Sequence, residues 1–127
     1  MVRSGSFAAI VASAALAACT GKEAAPATPS AGTAAVTITI TAAGVNPASV
    51  SVSPGTQITF VNNDTRVHQI SSNPHPEHTD CPEFDQVGSL TPGQRRQTGN
   101  LNTLRTCGFH DHLAFENQSL RGTVVIR

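Results

Sequence analysis

Two histidines and a cysteine lie within seven residues near the C-terminus, in the stretch Thr106-Cys107-Gly108-Phe109-His110-Asp111-His112. In an extended strand, residues i and i+2 project from the same face, about 7 Å apart along the chain. His110 and His112 can therefore direct two imidazoles at one point, as a metal site requires, while Asp111 points away. The stretch predicts a metal site that needs at least one further ligand from elsewhere in the chain.

The first residues have the pattern of an export signal. Arg3 precedes an apolar, alanine-rich run from Phe7 to Ala18, which is too short to span a bilayer as a mature helix. The run ends at Leu16-Ala17-Ala18-Cys19, which resembles the bacterial lipobox, whose cysteine is lipidated and becomes the first mature residue. We therefore predict a lipoprotein signal peptide over residues 1–18, with lipidation of Cys19. An ordinary signal peptide cleaved near Ala18 is the alternative.

These predictions place the protein at the bacterial cell envelope, facing the periplasm. Thr20, after the cysteine, is typical of lipoproteins sorted to the outer membrane. Loss of residues 1–18 removes Arg3 and Met1, which leaves seven Lys+Arg against eight Asp+Glu, a net charge of −1, and no methionine. This balance does not favour nucleic acid or an anionic membrane surface as a partner. Membrane contact is expected only through the lipid anchor.

The two remaining cysteines form an even pair. With Cys19 acylated, Cys81 and Cys107 are left in an oxidising compartment, where pairing is favoured. A bridge between them closes a loop of about 27 residues and stabilises the fold by roughly 3–4 kcal/mol. That contribution is large for a domain that has no Trp or Tyr. The sequence therefore predicts a Cys81–Cys107 disulfide that pins the proline-rich segment 71–88, which has no regular period.

The rest of the chain is patterned for short strands. Residues 19–35 are rich in Ala, Pro, Thr, Ser and Gly and predict a flexible tether. Val36–Thr41 then alternates β-branched apolar and polar residues, which is typical of a half-buried strand. Further strands are predicted at 50–52, 56–61, 66–70, 95–98, 104–109 and 122–126. Since no helical period follows the tether, the sequence predicts one all-β domain, a β-sandwich, over residues 36–127.

Several of these pieces, taken in order, resemble the cupredoxins, the Greek-key β-sandwiches of small copper proteins. The pieces are Pro47–Thr56, Ile58–Asn63, Val67–Ile70 with its histidine, Cys107–His112 and Leu120–Ile126. The resemblance implies a Greek-key sandwich that binds copper through a histidine after an early strand, matched by His68, and ligands in the last loop. It further implies electron transfer or copper handling with a redox or copper-transfer protein as partner, rather than an enzyme.

Two versions of the copper site fit the resemblance. The first is a blue, type 1 site, in which a cysteine thiolate joins two histidines and a weak axial ligand. The axial methionine of such sites is missing, and a glutamine can substitute for it. This version uses His68, Cys107, His112 and Gln118.

The second version is an all-histidine site, and three observations favour it. Cys107 differs in parity from the two late histidines and so faces the other side of a regular strand. Cys81 offers Cys107 a disulfide partner, and the mature chain lacks methionine. The predicted ligands are His68, His110 and His112, with the loop histidines His75 and His78 as additional candidates.

Two other classes of function stay open. Gly108–His112 is similar to the Gly-Phe-His-Xaa-His stretch of copper–zinc superoxide dismutase, but only fifteen residues follow His112. The same fold could also serve as a metal-free interaction module with structural histidines. Among metals, copper is expected because the affinity of divalent first-row ions peaks at Cu²⁺.

Overall fold

The computed structural model describes residues 35–127. The predicted signal peptide, the lipidation site Cys19 and nearly all of the tether lie outside these residues. Within residues 35–127 no helix has the length and apolar character needed to cross a bilayer. The described part contains nine strands, namely β1 Val36–Thr41, β2 Gly44–Asn46, β3 Ser49–Val52, β4 Ile58–Asn62, β5 His68–Ser72, β6 Gly88–Leu90, β7 Arg95–Gln97, β8 Arg105–Asp111 and β9 Arg121–Ile126.

The strands form two mixed sheets that pack face to face. One sheet has the order β2-β1-β4-β7, with β1 and β4 parallel, and the other has the order β3-β9-β8-β5-β6, with β3 and β9 parallel. Three single turns of 3-10 helix lie in connections within the second sheet: Pro82–Phe84 between β5 and β6, and His112–Ala114 and Gln118–Leu120 between β8 and β9. No α-helix occurs within residues 35–127. The prediction of an all-β Greek-key sandwich is confirmed.

The alternating strands bury one side chain in two. In β1, Ile38 and Ile40 are fully buried while Thr37 is exposed, as its pattern predicts. Three phenylalanines fill the space between the sheets: Phe60 lies edge-on to Phe109 at 5.1 Å between ring centroids, and Phe84 stacks on Phe109 at 5.6 Å. Burying aromatic area of this kind is the largest apolar contribution available to a chain without Trp or Tyr.

Strand β8 is central to its sheet, between β5 and β9, and its two faces differ. Cys107, Phe109 and Asp111 alternate on the buried face toward the other sheet. His110 lies on the opposite face, yet it is only 1% exposed because the segment after β5 folds over it. The predicted difference in facing between Cys107 and His110 is therefore present in the structure.

Strand β5 differs from the sequence prediction, since it begins at His68 rather than at residue 66 and ends at Ser72. The side-chain amide of Asn62 donates to the carbonyl oxygens of Arg66, at 2.7 Å, and Leu90, at 2.8 Å. The Arg66 carbonyl is thus held by a side chain instead of a neighbouring strand. A polar residue that ends β4 therefore also fixes the turn that precedes β5.

Candidate metal centre

Four histidines converge at one end of the sandwich. His75, His78, His110 and His112 each offer one ring nitrogen, and these four nitrogens lie within 4.8 Å of one another. The first two come from the segment after β5, and the last two come from the end of β8 and the turn that follows it. The structure thus brings together the predicted late pair and the two loop histidines. We refer to these four side chains as the histidine cluster.

His110 is held in one orientation. Its Nδ1 lies 2.8 Å from Oδ1 of Asn73, and since a carbonyl oxygen only accepts, Nδ1 carries the proton. Its Nε2 is buried and has no partner among the described residues. Gly108 allows this arrangement, because a Cβ at that position would collide with the Asn73 amide. A buried, unprotonated and unpartnered imidazole nitrogen is what a metal ligand presents.

His112 follows the point at which β8 ends. The carboxylate of Asp111 accepts hydrogen bonds from the backbone N–H groups of Gln69, at 2.9 Å, and Leu113, at 3.1 Å. The chain therefore leaves the strand at Asp111 and turns His112 toward the loop. Nδ1 of His112 lies 3.2 Å from Nε2 of His78. The two late histidines meet because the strand ends between them, not because they share a strand face.

The loop that carries His75 and His78 is closed at its base. The Asp80 N–H donates to the Asn73 carbonyl oxygen at 2.7 Å, and the next residue, Cys81, is disulfide-bonded to Cys107. His78 has a φ of 54°, a left-handed conformation that costs an L-residue about 1–2 kcal/mol. The disulfide and the closed base hold the loop where it can keep that conformation. The predicted disulfide is confirmed.

His75 packs flat on an aromatic ring. Its imidazole stacks on Phe115 with ring centroids 4.1 Å apart and an interplanar angle of 6°. Nδ1 of His75 is buried and, like Nε2 of His110, has no partner among residues 35–127. Stacking fixes the plane of the ring while leaving this nitrogen free.

Burial and nearby positive charge favour the neutral form of His110. Burial lowers the pKa of His110 to about 4, and repulsion from His78, His75, Arg121 and His112 acts in the same direction. Neutral imidazole is the form that binds a metal ion. The His110 lone pair is therefore available at neutral pH without first losing a proton.

His68, predicted as a third ligand, does not meet His110 and His112. Its Nδ1 lies 2.7 Å from Oδ2 of Asp111, and its Nε2 lies 3.0 Å from Oδ2 of Asp64. Both ring nitrogens are therefore committed to carboxylates, and all three side chains are at most 3% exposed. Pairing of Ile70 with Asp111 across β5 and β8 turns His68 inward, away from the face that carries His110.

The residues proposed for a blue site are also apart. Cys107 is fully buried and bonded to Cys81, so it has no thiolate. Gln118 lies in an exposed turn, where its side-chain amide donates to the Glu116 carbonyl oxygen at 3.3 Å. Neither residue belongs to the histidine cluster.

Comparison with known families agrees with this architecture. A family model for the cupredoxin-like domain matches residues 7–126. This chain belongs to the cupredoxin-like family. A comparison with curated proteins found no match to it. The family match agrees with the two-sheet sandwich of residues 35–127.

Solved cupredoxins share the fold at low sequence identity. A purple cupredoxin from Nitrosopumilus maritimus is 18% identical with a TM-score of 0.55, covering 72% of this chain and 99% of its own. Plastocyanin from Dryopteris crassirhizoma is 17% identical with a TM-score of 0.56, covering 72% and 100%. Amicyanin from Paracoccus versutus is 15% identical with a TM-score of 0.57, covering 74% and 82%. At these identities the likeness concerns the fold alone.

The histidine cluster of this cupredoxin fits a metal ion. A tetrahedron with metal–nitrogen bonds of about 2.0 Å has edges of about 3.3 Å. The 3.2 Å separation between His112 Nδ1 and His78 Nε2 matches one such edge, and the four nitrogens as a set lie within 4.8 Å of one another. The buried nitrogens of His75 and His110 would otherwise remain unsatisfied, which is costly. Imidazole donors suit copper, zinc, iron and nickel.

Three residues that support the site escaped sequence reasoning. Asn73 and Phe115 each hold one imidazole in place, and Gly108 makes room for the Asn73 side chain. None of the three is itself a proposed ligand. A signal existed for the first, because Asn73 begins the segment Asn-Pro-His-Pro within the loop pinned by Cys81. Gly108 directly follows Cys107, so the predicted disulfide placed it near that loop, whereas nothing in the sequence linked Phe115 with it.

Asp64 is expected to make this cupredoxin lose stability in strong acid. Burial alone would raise its pKa, but hydrogen bonds from the Thr65 N–H, His68 and Arg66 outweigh burial and lower the pKa to about 2 from 3.8. A carboxylate with a lowered folded-state pKa stabilises the fold above its unfolded pKa, and the contribution is lost as pH falls through the folded value. The free energy of unfolding of the wild type, measured in urea, should therefore decrease as the pH is lowered from about 4 to about 2.

The matched variant for this measurement is Asp64→Asn. It keeps an oxygen that accepts from Thr65 but no longer titrates, so its free energy of unfolding should change less steeply in the same window. The slope is the readout, since the variant is expected to be less stable at every pH. Equal slopes for the two proteins would contradict the role given to Asp64.

Proposed function

We propose that this protein is a copper-binding cupredoxin whose ion is held by His75, His78, His110 and His112. The observation that carries the proposal is the convergence of four ring nitrogens, two of them buried and without a partner. Stability of this end of the sandwich does not require four converging imidazoles, because apolar or hydrogen-bonded side chains would fill the same space without leaving buried nitrogens unpartnered. Asn73 and Phe115 then serve to orient two of the ligands.

Copper is favoured over the other ions by general affinity and by the fold. Divalent first-row ions bind nitrogen ligands most strongly at Cu²⁺. Among solved structures with the same fold, amicyanin includes Cu(I) forms. Since Cys107 is in a disulfide and residues 35–127 contain no methionine, the copper is held without sulfur. The bound ion would supply a Lewis-acid and redox-active centre with a weak, nitrogen-type spectrum rather than a blue one.

Copper handling at the bacterial cell envelope is the role that we propose first. Imidazole ligands suit Cu²⁺, whereas Cu⁺ is selected by the softer thiolate and thioether ligands, which this site lacks. The lipobox-like end of the predicted signal, with Cys19, supports anchoring of the domain to a membrane facing the periplasm. The chain's own groups then bind the ion, orient its ligands and close a loop over it, with no group assigned to a reaction. The partner would be a protein that delivers or accepts copper.

Electron transfer is the second candidate. The observation in its favour is the shared fold with plastocyanin, for which an oxidised form and a pair of oxidised and reduced structures exist. A redox role requires that the bound ion change oxidation state reversibly without loss from the site. Reduction of the copper-loaded protein with ascorbate, followed by reoxidation in air and a count of retained copper, separates the two roles.

Copper binding is tested by titration of the full-length protein with Cu²⁺, followed by calorimetry and electron paramagnetic resonance. The wild type should bind one ion per chain with nitrogen hyperfine structure. His78→Gln should weaken binding by at least tenfold, which is about 1.4 kcal/mol. His68→Gln should keep the affinity if circular dichroism shows that it is folded, since His68 is bonded to carboxylates.

Ligand identity can be read without relying on any variant. Zn²⁺, a diamagnetic probe, should move the ring nitrogen resonances of four histidines in nuclear magnetic resonance spectra and leave those of His68 in place. Movement of His68 together with only the late pair would contradict the proposed ligand set. An intense blue charge-transfer band on copper loading would contradict the all-nitrogen site. Absence of binding would favour a metal-free interaction module.

A further inference from the structure

A cleft opens beside the histidine cluster. It has a volume of about 340 Å³, and its walls are Asn73, Pro74, His75, His110, Phe115 and Arg121. Two of these residues are members of the cluster, so the cleft leads to the proposed ion. Its size exceeds that of a metal ion and leaves room for a small molecule with accompanying water.

The cleft walls carry positive charge and no negative charge. None of the six wall residues is acidic. Arg121 donates through Nε and Nη2 to the Phe115 carbonyl oxygen, and its Nη1 donates to no described residue. The guanidinium is thus fixed at one wall with one donor group left over. A fixed cation of this kind attracts an anion.

Two other wall residues supply unpartnered nitrogen atoms. Nδ1 of His75 and Nε2 of His110 are both buried without a hydrogen-bond partner, and His110 is 1% exposed. The side-chain oxygen of Asn73, which could have repelled an anion, already accepts from His110 Nδ1. With the His75 and His110 nitrogens bound to the ion, the guanidinium of Arg121 is the polar group that the cleft walls leave for an anion.

We propose that this cleft admits a compact monoanion, of the size of azide or formate, as a ligand of the bound ion additional to the four imidazoles, held against Arg121. The proposal rests on the proposed copper site and names the ligand class that the site admits. Arg121 is the specificity-determining residue, because it is the one cationic side chain among the cleft walls that is not a proposed copper ligand. Neutral and cationic small molecules find no matching charge there.

The proposal is tested on the copper-loaded protein with azide as the probe, since azide bound to Cu²⁺ gives a charge-transfer absorption. The wild type should bind azide saturably, and formate should compete with it. Arg121→Gln should weaken azide binding roughly tenfold, as expected for loss of a hydrogen bond between charged groups. Arg121→Lys, which keeps the charge, should recover most of the affinity. Arg95→Gln, which removes an exposed arginine on β7, should bind azide like the wild type.

The outcomes separate this proposal from the copper site itself. Copper stoichiometry is measured first for every variant, and all should load one ion. Equal azide affinity in wild type and Arg121→Gln, with copper bound in both, would overturn the anion site and leave the copper site standing. Failure of azide to bind the copper-loaded wild type would do the same. Failure of the wild type to bind copper would overturn both proposals.

Discussion

Replacement of Cys81 and Cys107 by alanine is expected to lower the free energy of unfolding by roughly 3–4 kcal/mol and to abolish tight copper binding. The bridge joins residues 26 apart and closes the loop that carries His75 and His78. Opening it returns loop entropy to the unfolded chain, which on the chain-entropy model costs about this amount. Two of the four proposed ligands are then no longer held against the other two.

Urea unfolding and Cu²⁺ calorimetry measure the two effects on the same double variant. Both cysteines are fully buried, so alanine disturbs the core less than serine, which would bury a hydroxyl group without a hydrogen-bond partner. Unchanged copper affinity in a destabilised double variant would show that the loop keeps its place without the bridge. That result would contradict the positioning role given to the disulfide.

The single variant Cys81→Ala is a sharp control. It leaves Cys107 as a free thiol three residues before His110, so any tendency toward a blue site should appear in it. Since Cys107 faces the interior of the sandwich and His110 the other side, we expect no blue colour on copper loading. A strong blue band would indicate that the thiolate reaches the ion, and the two strand faces would then be less separate than described.

Asp111→Ala is expected to destabilise the protein by about 3–5 kcal/mol, because it removes the acceptor of three hydrogen bonds and each buried donor left unsatisfied costs about 1–3 kcal/mol. Asp111 is 2% exposed and accepts from His68 Nδ1 and from the backbone N–H groups of Gln69 and Leu113. Alanine leaves all three donors without that partner. Copper affinity should also fall, because the turn that presents His112 loses the carboxylate that caps it.

Asp111→Asn is the matched variant. Its oxygen can still accept from the two backbone N–H groups, so the turn should persist. Its amide removes the negative charge beside His68, which should cost less than the full loss in Asp111→Ala. Thermal unfolding and Cu²⁺ titration of both variants give the comparison. Equal destabilisation by alanine and asparagine would contradict the importance of the backbone contacts and leave only the charge.

Much of the framework could be predicted from the sequence. Strand Val36–Thr41 was predicted with the boundaries that the structure has, because six residues alternate without a break, with Ile38 and Ile40 buried and Val36 partly buried. The Cys81–Cys107 bridge followed from counting cysteines in a chain that is predicted to be exported. These features depend on local pattern or on elimination, and neither requires knowledge of how distant segments meet.

The ligand set could be predicted only in part, because it depends on register. His68 matches a cupredoxin ligand by position, but the pairing of Ile70 with Asp111 sets two carboxylates against its ring. No sequence pattern reveals a contact between residues 43 apart. Conversely, the predicted disulfide already placed the loop of His75 and His78 near β8. Combining that bridge with the His-Pro-Glu-His segment would have ranked both histidines higher.

The loop from Asn73 to Asp80 is closed by its own backbone hydrogen bond and anchored by the neighbouring disulfide. It supplies half of the proposed ligands, while the interior of the sandwich supplies none. Half of the proposed metal ligands are consequently encoded in a stretch separate from the strands of the scaffold, while His110 shares β8 with core residues. Such a segment can be exchanged as a cassette, so ion preference can diverge among relatives while their cores stay the same.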